Sequence, residues 1–280
     1  MALVLILGSH VAGSRVGGTV ASLALALSPF AIDPMHVPTT LMGRHPGWGA
    51  PGGGAVPDEL FAGMLEGIAD NGLFALVDGV ITNYFASATQ VAIAARTIAA
   101  VKAANPRAII LVDPVMGDAP NGLYVSEEIA GALANTLLPC ADYLMPNLWE
   151  LAQISGLPVE TRQQICFAAR TLGKPTVVTS ARGLTASGAV GMGAMLVDGD
   201  QSWHVCHDEI ANVPKGTGDL MAALFMGHLI NRDAPPTAMA KAVAGISALL
   251  TVGAQWGSEE LPIVAGAHYA WQTAPLDFCE

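Results

Sequence analysis

The sequence predicts an α/β fold in which helices flank a mainly parallel central sheet. Two patterns carry this expectation. Apolar runs of about six residues alternate with helical patterns, as in successive βαβ units. Polar residues follow several of those runs directly, where an open parallel sheet presents its ligand-binding carboxyl edge.

Taken in order, "ALVLILG" near Met1 reads as the first strand, and "GTVASLALALS" as a helix entered through a glycine-rich loop. "LFALVDGVIT" is a strand ending in a polar loop, and "SATQVAIAARTIAAVKAAN" a long helix capped by Ser87. "AIILVDP" is a strand stopped by Pro114. "SEEIAGALANTLL" opens with a serine and two acids, the charge a helix start favours. "ADYLMP" is a short strand ended by Pro146, "NLWELAQIS" a helix capped by Asn147, and "KPTVVTS" a further strand. "AVGMGAMLVDGDQSWHVCH" reads as a hairpin turning at Asp198–Gly199–Asp200. Helices complete the chain from Thr217 onward. No linker, charge block or repeat divides the sequence, so one domain is expected over residues 1–280.

Hydrophobic residues make up 52% and charged residues 12% of the chain, which excludes disorder. Twelve Lys+Arg against 23 Asp+Glu give a formal charge of −11, which argues against a nucleic-acid partner bound through a basic face. The apolar runs are too short to span a bilayer and no basic leader precedes the first strand, so no membrane partner and a cytoplasmic location are expected. Cys140, Cys166, Cys206 and Cys279 are widely spaced without a CxxC pair and fit reduced thiols. In "HVCHDE" His204 and Cys206 share one strand face while His207 points away, so no metal is expected there.

The segment Leu41–Leu60 holds six glycines and three prolines, too many breakers for a helix or central strand. Composition leaves two readings equally open, a flap over a substrate and a plain surface loop. The second unusual stretch is "KGTGDL". Glycines are costly inside a helix, yet Gly216, Thr217 and Gly218 stand where one begins. There the unpaired N–H groups can close around an anion, aided by the helix dipole. Asp219 beside such a site fits a proton acceptor, and the helix start is expected to lower its pKa. Lys215 reads equally as a phosphate partner and as a solvated loop lysine. Ser9, Asp113, Asn147, Thr179 and Ser180 fall at other strand ends. Singly each has a local reading as a turn residue or cap; together they converge on one sheet edge.

"DPVMGD", "MPNLWE", "VVTS" and "GTGD", in this order and spacing, resemble the ribokinase-like superfamily and, within it, the pyridoxal kinase family. "LILGSHVAGSRVGG" is similar to that family's serine-bearing opening loop. The resemblance runs from Leu3 to about Val252. It implies a three-layer α/β/α sandwich and ATP-dependent phosphorylation of the hydroxymethyl group of pyridoxal, with pyridoxine and pyridoxamine as further substrates. It also implies Mg²⁺, a monovalent cation such as K⁺ or Na⁺, and a homodimer. Carried over by motif, Asp219 is the catalytic base and Gly216, Thr217 and Gly218 the anion hole. Ser9 and Tyr84 face the pyridine ring. Asp113, Asp118 and Glu150 act near the metal and phosphates, while Asn147, Thr179 and Ser180 line the nucleotide side.

Two departures stand out. Family members typically carry asparagine–histidine–threonine in the flap, where this chain has Gly43, Arg44 and His45; His45 is the candidate replacement for the threonine and Arg44 a candidate phosphate contact. Leu123 stands near the position where some members carry a cysteine that adds to the aldehyde, so no such adduct is expected. The closest rival is a hydroxymethylpyrimidine kinase of thiamine synthesis, whose typical opening motif "SHVAGSRVGG" lacks. A non-catalytic regulator that binds vitamin B6 or nucleotide would not need Asp219.

Overall fold

The computed structural model describes residues 1–185 and 187–279. Its first strand, β1 (Ala2–Val11), shows why the chain folds around a sheet. Val4 and Ile6 point into one apolar core and Leu5 and Leu7 into another, all fully buried. That period-two alternation, apolar on both faces, demands cover on both sides. The chain continues through α1 (Gly17–Ala26), β2 (Ile32–Met42), β3 (Gly54–Ala55), α2 (Asp58–Asp70), β4 (Val77–Thr82) and α3 (Ala88–Ala104). Then come β5 (Ile109–Val112), β6 (Gly117–Asp118), β7 (Gly122–Leu123), α4 (Glu127–Ala132), β8 (Tyr143–Leu144), α5 (Leu148–Ser155) and α6 (Arg162–Thr171). The last third holds β9 (Thr176–Leu184), β10 (Val190–Asp198), β11 (Gln201–Asp208), α7 (Thr217–Ile230), α8 (Pro235–Gln255) and α9 (Ala267–Gln272).

Nine strands form one sheet in the order β11-β10-β9-β8-β5-β4-β1-β2-β3, and β6 and β7 pair separately as a small hairpin. The central pairs are parallel, whereas β10 and β11 at one end and β3 at the other are antiparallel. On one face lie α1, α7, α8 and α9. The opposite face carries α2, α3 and α4 over the middle of the sheet, and α5 and α6 over β9 and β10. This is the expected three-layer α/β/α arrangement. Helix α8 is long and apolar enough to cross a membrane, yet 61% of its apolar window is buried within the protein, which makes it a core helix.

The expected caps are present: the Ser87, Ser126 and Asn147 side chains each accept a backbone N–H at the start of α3, α4 and α5. The hairpin turns at Gly199–Asp200, with Asp198 paired to Gln201. Six elements escaped the sequence reading: β2, α2, α6 and the two-residue strands β3, β6 and β7. Pro34 and Pro38 disguise β2, which tolerates them because β3 pairs only with Thr40 and Leu41, so the outer edge before them has no partner strand. "LFAL" forms a helical turn at Leu73–Leu76 before β4 rather than strand. The 41–60 segment is partly regular. It holds the end of β2, a helical turn at Pro46–Trp48, β3 and the start of α2, and Pro51 O accepts from Gly43 N at 2.9 Å and Arg44 N at 3.2 Å.

Helix α7 is buried along most of its length, and Phe225 at its centre is 0% exposed with its ring 5.5 Å from that of Tyr143. Phe225→Ala is expected to destabilise the protein by about 3–5 kcal/mol in urea unfolding; a loss below about 1 kcal/mol would show that α7 is not anchored by its core face.

Candidate active site

The start of α7 meets the loop after β1 so closely that only glycine fits. Gly216 has φ 93°, and a Cβ there would overlap the backbone carbonyl of Arg15. Gly17, with φ 62°, lies against Ser9 in the same way. This packing brings the Gly17 N–H to Asp219, donating to Oδ2 at 2.7 Å. From the end of β4, Asn83 Nδ2 donates to Oδ1 at 3.0 Å. The carboxylate is thereby held between two chain segments. The fully buried Asn83 Oδ1 has no partner among the described residues.

Burial raises the Asp219 pKa to about 6, and the Gly17 amide offsets only part of that rise. The expected lowering by the helix start is therefore corrected, because desolvation outweighs the dipole here. At pH 7 the group is still ionised by roughly ten to one.

A second acidic group stands at the ends of β5 and β8. Asp113 is 7% exposed, and burial, Glu150 and Asp219, in that order, all push its pKa well above the usual carboxylate range. Glu150 is 2% exposed and lifted to about 7 by burial, against the opposing pull of the Asn147, Met116 and Gly117 amides. Its oxygens accept from Met116 N and Asn147 N, each at 2.9 Å. Asn147 closes the capping box in return, accepting from Glu150 N, while its Nδ2 donates to Gly117 O at 2.9 Å. The Asn147 amide thus helps to fix the 116–118 loop, with one Nδ2 hydrogen left beyond the bond to Gly117 O. That loop carries Asp118, whose Oδ1 accepts from Asn121 Nδ2 at 2.7 Å. Tyr124, unread in the sequence, faces the same acids: burial first, then Glu150, Asp113, Asp118 and Asp219, raise its phenol.

Between β9, β10 and the start of α7 opens a cleft of about 190 Å³. Thr179, Ser180, Thr217 and Gly218 line it with His207, Glu209 and the apolar Met221, Val243 and Leu250. Ser180 sits in the left-handed region at φ 58°, the kind of local strain that clusters at binding sites. On the other side of Asp219, Tyr84 follows Asn83 and is half-buried, its carbonyl fixed by Thr39 Oγ1 at 2.7 Å. His45 caps the turn at Pro46–Trp48, and burial and then Lys215 lower its pKa, with Glu260 opposing. The turn at Pro46–Trp48 therefore lies beside Lys215, just before the start of α7. Arg44 instead bonds Ala50 O within its own loop at 2.7 Å, holding the loop's shape.

The structure thus gathers Asp219, Gly216–Gly218, Asp113, Glu150, Ser9, Tyr84, His45 and Lys215 around one sheet edge. Sequence reasoning missed Gly17 and Asn83, the two donors to Asp219; the double glycine "GG" was the only signal for the first. Asp113, Asp118 and Glu150 offer hard oxygen donors; burial first, and neighbouring carboxylates after it, raise the pKa values of Asp113 and Glu150, with three backbone amides opposing the rise at Glu150. That donor set fits a divalent cation of the Mg²⁺ class.

In chelator-treated protein, groups with raised folded pKa values contribute stability below their unfolded values, and lose it as pH rises through the folded ones. For Glu150 and Asp219 that window runs from about 4 to about 7. The Tm of Asp113→Asn minus that of the wild type is therefore expected to grow as pH rises from about 5 to about 8, and Mg²⁺ to narrow it. A difference independent of pH would show that the acids do not repel one another.

The phosphomethylpyrimidine kinase family matches residues 83–264 of this chain. The chain is 34% identical over 225 residues to a pyridoxine/pyridoxal/pyridoxamine kinase of Bordetella avium, covering 79% of this chain and 75% of that one. It is 30% identical over 266 residues to a pyridoxal kinase of Corynebacterium diphtheriae, with 93% of each chain covered. A solved pyridoxal kinase from Leishmania donovani, in complex with ADP and pyridoxamine, superposes with a TM-score of 0.87 at 25% identity, over 99% of this chain and 98% of that one. By near full-length similarity in sequence and in fold, the chain belongs to the pyridoxal kinase family.

Proposed function

We propose that this chain transfers the γ-phosphoryl group of ATP to the 5′-hydroxymethyl group of pyridoxal, forming pyridoxal 5′-phosphate in vitamin B6 salvage. Pyridoxine and pyridoxamine are further substrates in this reading. The observation that carries it is the Asp219 carboxylate fixed by Gly17 and Asn83 at the N-terminus of α7. A carboxylate so held orients the substrate hydroxyl and accepts its proton as the oxygen attacks phosphorus. The N–H groups of Gly216, Thr217 and Gly218 face the transferring phosphoryl and stabilise the charge on its oxygens. Lys215 adds positive charge beside them.

ATP occupies the cleft lined by Thr179, Ser180, Thr217 and Gly218, consistent with the ADP complex of the Leishmania donovani relative. Asp113 and Asp118 hold Mg²⁺, and Glu150 fixes the loop that carries Asp118. When bound, the ion neutralises phosphate charge. Ser9 and Tyr84 bind the pyridine ring, with His45 closing over it as residues 41–60 act as a flap on one kinase domain. The proposal includes a K⁺ or Na⁺ requirement, a homodimer and a cytoplasmic location.

With Mg·ATP and pyridoxal, the wild type is expected to form pyridoxal 5′-phosphate, and Asp219→Asn to lose at least about 10²-fold in kcat. No product from folded protein that still binds ATP would rule out pyridoxal as the substrate.

Because the base must be ionised, kcat/KM is expected to fall below an acid limb near pH 6, set by the pKa of about 6 at Asp219. Asn83→Ala removes a donor to the carboxylate, so its limb is expected at higher pH than in the wild type. A limb unmoved by that substitution would show that Asn83 does not tune the base.

A further inference from the structure

Strand β11 is the outermost strand at its end of the sheet. On it, His204 Nε2 lies 3.2 Å from Cys206 Sγ, and both residues are buried, at 4% and 6% exposure. Cys279, 73 residues beyond Cys206 in the chain (279 − 206), completes the group. One ligand atom from each of the three residues lies within 4.8 Å of the other two. The backbone brings Cys279 there, since its N–H donates to His204 O at 2.7 Å. Gly183 on β9 makes the room, because a Cβ at that position would run into His204 Cε1 and Cys206 Sγ. His207 points out of the group and bonds Asp208 O, as the strand alternation requires.

We propose that His204, Cys206 and Cys279 form a binding site for a borderline-soft divalent cation of the zinc class, which staples the segment at Cys279 to the edge of the sheet. Two thiolates and an imidazole suit such a cation, whereas the oxygen donors of Asp113, Asp118 and Glu150 suit Mg²⁺. The Ala181 carbonyl lies near enough to the His204 ring to raise its pKa against the lowering by burial, a place from which it could support a ligating histidine. Burial lowers the pKa of that ring, so the neutral imidazole with a free lone pair is the resting form. Without a cation, burial and then Cys279 hold the Cys206 thiol up at about 12. Binding therefore forms two S–metal bonds and one N–metal bond and releases two thiol protons to solvent, with water in the fourth position. No electrons are transferred, in contrast to a Cys206–Cys279 disulfide, which requires a two-electron oxidant.

The test uses the full chain, reduced, stripped with chelator and titrated with Co²⁺ and then Zn²⁺. The expected result is one Co²⁺ per chain with a thiolate-to-cobalt charge-transfer band, displaced by Zn²⁺, and a Zn²⁺-dependent rise in Tm. Cys279→Ser is expected to weaken Zn²⁺ affinity at least about 10-fold and to diminish the band, while its rate of pyridoxal phosphorylation, a check on folding, stays at the wild-type value. His204→Gln is expected to weaken Zn²⁺ in the same way with the band retained. No charge-transfer band in the wild type, or equal Zn²⁺ affinity in wild type and Cys279→Ser, would overturn the assignment. A metal-free Cys206–Cys279 disulfide in protein isolated without reductant would overturn it as well.

Discussion

The Asp219 carboxylate ties together three parts of the chain that are remote in sequence: the loop after β1 through Gly17, the end of β4 through Asn83, and α7 itself. Two well-placed donors fix both oxygens, so the side chain has little freedom to turn away from whatever occupies the sheet edge. That position is costly, because the carboxylate loses water, and its pKa of about 6 expresses the cost. The rest of the fold compensates. A core of apolar residues on α7 and its neighbours keeps the helix start in place. The packing of α7 thus supports a desolvated carboxylate at its end.

The acids on the far side of the site obey a different logic. Glu150 accepts backbone N–H bonds from both the 116–117 turn and Asn147, so it organises the loop bearing Asp118 while remaining nearly inaccessible itself. Asp113 gains no comparable relief, as each cause acting on its pKa raises it. A cation among Asp113, Asp118 and Glu150 would reverse the sign of that electrostatic balance. Asp113, Asp118 and Glu150 thus gather carboxyl oxygens at one place in a protein whose formal charge is already −11.

Much of this was legible in the sequence because the signals were local. The period-two pattern in "ALVLILG" and the caps at Ser87, Ser126 and Asn147 report constraints satisfied within a few residues, whereas the glycines before Asp219 were visible as a helix-start anomaly although the contact that requires Gly216 is with the remote Arg15 carbonyl. What escaped was set by distance or by competing energies. Gly17 and Asn83 stand 202 and 136 residues from Asp219, so no spacing rule pairs them. The pKa of Asp219 was expected to fall because the dipole is visible in a helix start, whereas the burial that overrides it belongs to tertiary packing. Asn147 was read as lining the nucleotide side, and the fold adds two bonds to its amide that spacing does not reveal: Oδ1 accepts from Glu150 N in the capping box, and Nδ2 donates to Gly117 O. Prolines in β2 hid a strand whose outer edge pairs with β3 only at Thr40 and Leu41, and "HVCHDE" lacked a third ligand on its own strand face until the fold supplied Cys279.

The family places the chain among kinases that act on a ring-bound hydroxymethyl group, and the identity of the ring is where the account is most exposed. The 41–60 segment carries Gly43, Arg44 and His45, with Arg44 tied into its own loop and His45 near Lys215. The most direct test is the specificity constant for pyridoxal set beside that for hydroxymethylpyrimidine, measured on the same protein with saturating Mg·ATP. The account predicts a higher kcat/KM for pyridoxal. A higher value for the pyrimidine alcohol would contradict it, and would assign the same base and anion site to thiamine synthesis.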